Sequence, residues 1–390
     1  MIARLLRKRL HRPEAIRLLI RDALGGRGPV LDNRRHLAEA ARWILRAQAA
    51  TPDTGVSGGY SFEDGWIASY PETTGYIIPT LLDYAAYAGE SIYRDHALSM
   101  ARWELGVQLE SGGFPGHFVD RAHPPVVFNT GQIIFGLLAA FECTQDEAFL
   151  RAAQRAAGWL VSVLDADGVW RRFDYRDQVH SYNTRSAWAL VELALVTKDE
   201  ALLAAARRHL DWACGQQRDT GWFEYSSFSA GVPPFLHTIA YTSQGLLEAG
   251  LRLQDARYVA AAEHTCRAVL GTLRPDGSMP GTFHPDWRPA AAYSCLTGNA
   301  QISAQWLRLY SVNRDAALLD GARRANRFLK SLQYCAGANL NVRGAIKGSH
   351  PIWGRYLFGT YPNWAAKFFM DALLMEEAAP LGSETCIRCW

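Results

Sequence analysis

A chain of 390 residues, 49% of them hydrophobic, carries enough apolar material for a large core, and its formal net charge of +3 is small for that length. No cluster of Lys and Arg sits among aromatics as a nucleic-acid groove requires, so nucleic acid is excluded as a partner. Seven cysteines, an odd number placed mostly inside helical patterns, do not make a disulfide-stapled secreted domain, and thiols in a cytoplasm fit them better.

The N-terminus lacks the apolar core and cleavage site of a secretory signal, and no run of about 18 apolar residues reads as a membrane span. Residues 1–31 stand apart from the rest of the chain. Ile2, Leu5, Leu6 and Leu10 alternate with Arg4, Arg7, Lys8 and Arg9 in a short basic amphipathic helix. Such a helix either packs its leucines on the main body or, through residues 1–27, lies peripherally on an anionic inner-membrane surface.

From Asp32 to residue 378 the chain repeats. A loop ending in Thr and a small or polar residue runs into a long apolar helix at Ser69-Tyr-Pro-Glu-Thr-Thr-Gly-Tyr, Phe128-Asn-Thr-Gly, Tyr182-Asn-Thr-Arg, Tyr241-Thr-Ser-Gln, Leu296-Thr-Gly-Asn and Tyr361-Pro-Asn-Trp. With Thr74, Thr130, Thr184, Thr242, Thr297 and Asn363 as markers, the intervals are 56, 54, 58, 55 and 66 residues. Self-similarity at this period is a repeat architecture.

Each repeat opens with a second, amphipathic helix. Asp32, Asp95, Asp146, Asp199, Asp255 and Asp315 are placed to cap these helices. Their ends are marked by Trp103 with Gln108, Trp159, Trp212 with Gln216, and Phe328 with Gln333, and Gly-rich turns come next, as in Gly112-Gly-Phe-Pro-Gly and Thr220-Gly-Trp-Phe. The other helix of each repeat is apolar nearly all round, as for a helix buried on both sides. Twelve helices in alternating outer and inner layers predict an all-α (α/α)6 toroid, a double-walled barrel whose six long loops meet at one face. Loops that long without regular structure are uncommon unless functional. Residues 379–390 form a tail, and its lone Cys386-Ile-Arg-Cys389 pair, with no second pair, assigns no metal.

This grammar resembles the alpha/alpha toroids, which include six-hairpin glycosidases, unsaturated-uronide hydrolases, sugar epimerases, polysaccharide lyases and terpene cyclases. The resemblance spans about residues 32–378 and specifies fold more than chemistry. Ser69-Tyr-Pro-Glu-Thr-Thr-Gly-Tyr, Gly344-Ala-Ile-Lys-Gly-Ser-His-Pro-Ile-Trp-Gly-Arg-Tyr and Tyr361-Pro-Asn-Trp-Ala-Ala-Lys-Phe-Phe further resemble proteins of bacterial exopolysaccharide gene clusters. The implied setting is glycan metabolism.

The loops carry the candidate chemistry. Loop 1 holds Asp64, Trp66, Tyr70 and Glu72; Glu72 at the mouth of an inner helix reads either as a general acid or as a first-turn cap. Loop 2 offers His117, His123 and Asn129 for substrate hydrogen bonds, and with Asp120 it lacks the further ligand a zinc site needs. Loop 3, the densest polar cluster, contains Trp170, Arg171, Arg172, Asp174, Tyr175, Asp177, His180, Tyr182, Asn183 and Arg185. His180, Tyr182 and Arg185 are the residue types that neutralise a uronate carboxylate and move its C5 proton, and the same cluster also reads as an Arg/Asp surface network around one cap.

Loop 4 brings Trp222, Glu224, His237 and Tyr241. Because repeats three apart face each other across a six-fold ring, Glu224 or His237 is expected opposite Glu72, and Glu72 with Glu224, or Glu72 with Asp174, is the expected carboxylate pair. Loop 5 supplies His284 and Trp287, and loop 6 Lys347, His350, Trp353, Arg355 and Tyr361. The recurring Trp residues read as platforms for sugar faces or as structural anchors, and Arg185, Lys347 and Arg355 would suit an acidic sugar. No cofactor is implied.

The leading expectation is hydrolysis of an acidic oligo- or polysaccharide by paired carboxylates, with Glu72 as acid. A polysaccharide lyase or uronate C5-epimerase built on His180, Tyr182 and Arg185 is the first alternative. A non-catalytic glycan-binding protein is the second, and a terpenoid-cyclase barrel, which lacks its DxDD or DDxxD motif here, is the third.

Overall fold

The computed structural model describes residues 13–379; the first twelve residues of the basic segment expected over 1–31, with Ile2, Leu5, Leu6 and Leu10, and the Cys386/Cys389 pair lie outside it. A short helix α1 (Pro13–Ala23) precedes six helical hairpins. Their outer members are α2 (Asn33–Ala49), α4 (Ser91–Val107), α6 (Glu147–Ser162), α8 (Glu200–Cys214), α10 (Ala256–Leu270) and α12 (Ala316–Leu332). Their inner members are α3 (Pro71–Ala88), α5 (Val127–Thr144), α7 (Thr184–Thr197), α9 (Leu236–Leu253), α11 (Leu296–Asn313) and α13 (Asn363–Ala378). Each inner helix packs on the next, and α13 returns to α3, which closes the (α/α)6 toroid.

Local chemistry explains the alternation of long and short connections. Inner helices α5, α7, α9 and α11 end in one left-handed residue, Gln145, Lys198, Gln254 or Arg314. The next residue is Asp146, Asp199, Asp255 or Asp315, whose carboxylate accepts a hydrogen bond from a backbone N–H of the outer helix beyond it. Two residues therefore turn the chain from inner to outer wall. Asp95 departs from this series: α4 starts at Ser91 after Gly89 and Glu90, and Asp95 lies within the helix. The loops returning inward are long and share one face.

The turns that open those loops are held against the neighbouring outer helix. Gly112, Gly168, Gly221, Gly277 and Gly344 all adopt positive φ, each beside a backbone carbonyl of the next repeat. A Cβ at Gly168 (φ +83°) would sit 2.6 Å from the Arg208 carbonyl oxygen. Gly168→Ala is therefore expected to destabilise the protein by more than the roughly 1–3 kcal/mol of a left-handed alanine alone. Gly158, exposed inside α6 with no atom within 4 Å of its would-be Cβ, is the control. Gly158→Ala is expected to stabilise by about 0.5–1 kcal/mol, and urea denaturation of the pair reads the opposite signs.

By length and composition α5 could cross a membrane, contrary to the absence of such a stretch expected from the sequence. It is an inner-wall helix with 78% of that window buried, and its apolar surface is covered by α3, α7 and the outer wall. Gly75 lets α3 and α5 approach, since a Cβ there would lie 2.7 Å from Ile133 Cα.

Two small sheets tie loops together on the open face. In the first, β1 (Gly59–Ser61) lies between β2 (Gly65–Trp66) and β5 (Thr360–Pro362), with Tyr60 opposite both Trp66 and Tyr361. In the second, β3 (Ser294–Cys295) pairs with β4 (Ser349–His350). The sixth loop is thus bonded to the first and the fifth. Helix α1 packs on this loop through Asp22, whose carboxylate meets Lys347 Nζ at 2.5 Å, beside His350.

Candidate active site

The second half of each loop, or the helix it leads into, decides what reaches the barrel mouth. A cavity of about 1020 Å³ opens there, built from loops 1, 2, 3, 4 and 6 and the first turns of α3, α5, α9 and α13. Its walls are aromatic: Tyr70, Tyr76, Phe118, Phe128, Tyr182, Phe228, Tyr241, Tyr356 and Trp364. Tyr70 packs on Phe118 (ring centroids 5.0 Å) and edge-on to Trp364 (6.1 Å), while Trp364 Nε1 donates to the Tyr356 hydroxyl at 2.7 Å. The exposed cations Arg172 and Arg176 stand at the rim.

Two buried carboxyl groups line this cavity. Glu72 lies in the first turn of α3 behind Pro71, and its Oε2 accepts a hydrogen bond from Tyr70 Oη at 2.6 Å rather than reaching back to cap the helix. Burial pushes its pKa up to about 7, and neither the Tyr70 bond nor the Arg185 charge offsets that push. A first-turn position favours the anion, so desolvation is the larger effect here.

Asp174 opens the short turn 175–177. Its two oxygens accept from Tyr175 N at 2.8 Å and Asn183 Nδ2 at 2.5 Å. Burial raises its pKa to about 6, against the opposing influences of His180 and these hydrogen bonds. A pair of carboxyls poised around neutrality in one cavity is suited to acid/base work.

The remaining candidates divide between wall and frame. His117, His123 and Asn129 line the cavity, with the two imidazole rings 5.2 Å apart. His237 and Tyr241 line it from α9; His237 Nδ1 bonds Gln301 Oε1 at 2.8 Å, and burial pushes the imidazole down to about 3. His237 is therefore neutral at physiological pH. His180 does not line the cavity. Its Nε2 bonds the Tyr175 carbonyl at 3.1 Å, and its ring stacks on Tyr182 at 4.5 Å, so it holds that wall from behind.

Arg185 is fully buried below the cavity. Its Nε and Nη1 donate to Gln132 and Gln244 at 2.7 and 2.5 Å, between the rings of Phe135, Trp188, Tyr241 and Phe368. The guanidinium acts on Glu72 through its field instead of reaching the cavity wall.

Several expected site residues serve the framework. Glu224 does not face Glu72: it ion-pairs with Arg218 and lines a separate groove with Trp222 and His284. Its loop is still on the outer wall there, with Glu224 N bonded to the Gln216 carbonyl. Trp170 is fully buried, donating to the Leu160 carbonyl, and Trp66 is wedged against Trp43 and Tyr60 with its indole N–H on Asn341. Trp287 packs edge-on to Trp222 and donates to the Thr220 carbonyl.

Lys347 and His350 are spent on Asp22, and Trp353 packs on the core. Tyr361 is buried in β5 against Phe62, Asp64 is exposed and bonded to Ser61, and Arg355 is exposed outside the cavity. Sequence reasoning missed Tyr76, Phe118, Phe128, Phe228, Tyr356 and Trp364 as cavity walls and Arg176 at the rim. Tyr76 and Trp364 sit inside the repeat motifs, so position just after each loop was the available signal.

No protein-family model matches the chain, and no curated protein does. Solved structures do. An unsaturated glucuronyl hydrolase specific for heparin superposes with a TM-score of 0.72 over 90% of this chain and 98% of its own at 15% identity. Cellobiose 2-epimerase from Bacillus thermoamylovorans gives 0.71 over 87% and 97% at 11% identity. A glycosyl hydrolase family 88 protein from Bacteroides vulgatus gives 0.64 over 89% and 99%, also at 11%. At these identities the likeness is one of fold, and the fold is the (α/α)6 toroid.

Proposed function

We propose that this protein is an enzyme that hydrolyses a glycosidic bond in an acidic, uronate-containing oligo- or polysaccharide. The observation that carries the reading is the pair of buried carboxyl groups, Glu72 and Asp174, on one aromatic-walled cavity. Aromatic walls offer flat apolar faces to sugar rings, and Arg172 and Arg176 at the rim favour a negatively charged chain. Hydrolases and epimerases of sugars share the toroid, which supports a saccharide reaction without naming it.

In the proposed reaction protonated Glu72 gives its proton to the leaving glycosidic oxygen while ionised Asp174 serves the attacking side. Tyr70 orients the Glu72 carboxyl, and Asn183 with Tyr175 N fixes Asp174. The elimination reading has less to stand on, because His180 is bonded away from the cavity and Arg185 is sealed beneath it.

The test is a panel of neutral and uronate-containing polysaccharides, with new reducing ends and ultraviolet absorbance of unsaturated uronides followed together. Reducing ends rising on a uronate polymer without absorbance are expected. Absorbance rising in step would replace hydrolysis by elimination, and silence in both channels across the panel would remove the cleavage reading.

A further inference from the structure

A second concavity of about 690 Å³ lies between loops 3, 4 and 5, lined among others by Trp222, Glu224, Tyr225, Ser227, Pro233 and His284. It shares a wall with the main cavity. Residues 172–177 line the cavity and 178–179 the groove; Phe228 lines the cavity and 229–234 the groove. The wall is cross-linked by Arg176 Nη1 to Ser229 Oγ at 2.8 Å and Ala230 N to Gln178 Oε1 at 3.1 Å. A chain leaving the cavity over this wall enters the groove.

The lining chemistry is mixed. Tyr225 is 53% exposed at φ +60°, a left-handed conformation that a bulky side chain rarely adopts. Its ring lies beside Trp212 (6.0 Å) and leaves about half of the side chain in solvent. The groove is also lined by Glu224, whose carboxylate pairs with Arg218, by Ser227, whose hydroxyl accepts from Ser229 N at 3.3 Å, by His284 and by Pro233 and Pro234. An exposed aromatic ring in a groove with hydrogen-bonding groups matches a sugar, which presents an apolar C–H face and a belt of hydroxyls.

We infer that this groove is a second saccharide subsite, holding further units of the chain whose scissile bond lies in the main cavity, with Tyr225 as its platform. The inference rests on the saccharide reading of the cavity. The groove also touches the site's frame: the Tyr225 carbonyl accepts from Ser181 N at 3.1 Å, and Ser181 precedes Tyr182 and Asn183, the latter bonded to Asp174.

The test is calorimetric titration of a Glu72→Gln protein, with and without Tyr225→Ala, using disaccharides and hexasaccharides prepared from heparin and from alginate. The hexasaccharide is expected to bind more tightly than the disaccharide, and Tyr225→Ala is expected to remove about 3- to 10-fold of that gain while leaving disaccharide binding unchanged. A hexasaccharide that binds no more tightly than the disaccharide overturns the groove and leaves the cavity reading intact. Equal weakening of both lengths by Tyr225→Ala also overturns it, since Tyr225 would then act only through Ser181. Binding of neither length removes the saccharide reading, and the groove with it.

Discussion

Glu72→Gln is expected to lower kcat by about 10²- to 10⁴-fold, the ordinary worth of a positioned general acid, with the fold retained because glutamine keeps the shape and a hydrogen bond to Tyr70. The same assignment fixes the pH profile of kcat/KM. Burial raises Asp174 to about 6 and Glu72 to about 7. Below the lower value Asp174 is protonated and cannot serve as base; above the upper value Glu72 has lost the proton it must donate. The profile is therefore a narrow bell centred near about 6.5, and in Glu72→Gln the alkaline limb disappears while the acid limb stays. A profile that keeps both limbs in the variant would take the acid role away from Glu72.

Asp22→Asn is expected to be the most destabilising conservative change outside the barrel core. Asp22 and Lys347 are 2% and 3% exposed in their side chains, and Lys347 Nζ lies 2.5 Å from each carboxylate oxygen, with Ile352 N donating to Asp22 at 2.8 Å. Breaking a buried pair strands the other charge, which costs about 3–5 kcal/mol. Burial alone would raise the Asp22 pKa, but His350 and Lys347 outweigh it and hold the group down at about 2. Because the folded value lies below the ordinary 3.8, the stabilisation is fully present above that pH and is lost as pH falls toward 2. Urea denaturation of Asp22→Asn, of Lys347→Met and of the double variant tests this. The double variant is expected to recover much of either single loss, as it leaves no stranded charge. Additive losses would mean that the two residues do not act as a pair.

These two sites show what the sequence carries and what it withholds. The toroid was legible because period, caps and apolar helices all agreed: Asp146, Asp199, Asp255 and Asp315 cap the helices they were expected to cap. Glu72 was legible because it stands at the entry of an inner helix, where every repeat must approach the axis. Asp174 lies further back in its loop, yet the turn 175–177 carries it to the cavity.

The loops themselves were harder to read, because in loops 3 and 4 the stretch just past the Gly turn stays on the outer wall. Trp170 and Trp222 come just after Gly168 and Gly221 and pack as anchors, and Trp287, farther along its own loop, packs on Trp222 and bonds the Thr220 carbonyl instead of facing the cavity. Of the two loop 4 residues expected opposite Glu72, His237 lines the same cavity, whereas Glu224 pairs with Arg218 in the separate groove. Lys347 and His350 were unreadable in another way: their partner, Asp22, is more than 300 residues away in sequence, in a helix outside the repeat.

The most direct measurement is mass spectrometry of products formed in ¹⁸O-labelled deuterated water from a saturated uronate oligosaccharide. Hydrolysis by Glu72 and Asp174 predicts one ¹⁸O at the new reducing end and no deuterium on ring carbon. Deuterium on ring carbon without ¹⁸O would contradict that chemistry and assign the cavity to epimerisation, and unsaturated products carrying neither label would assign it to elimination.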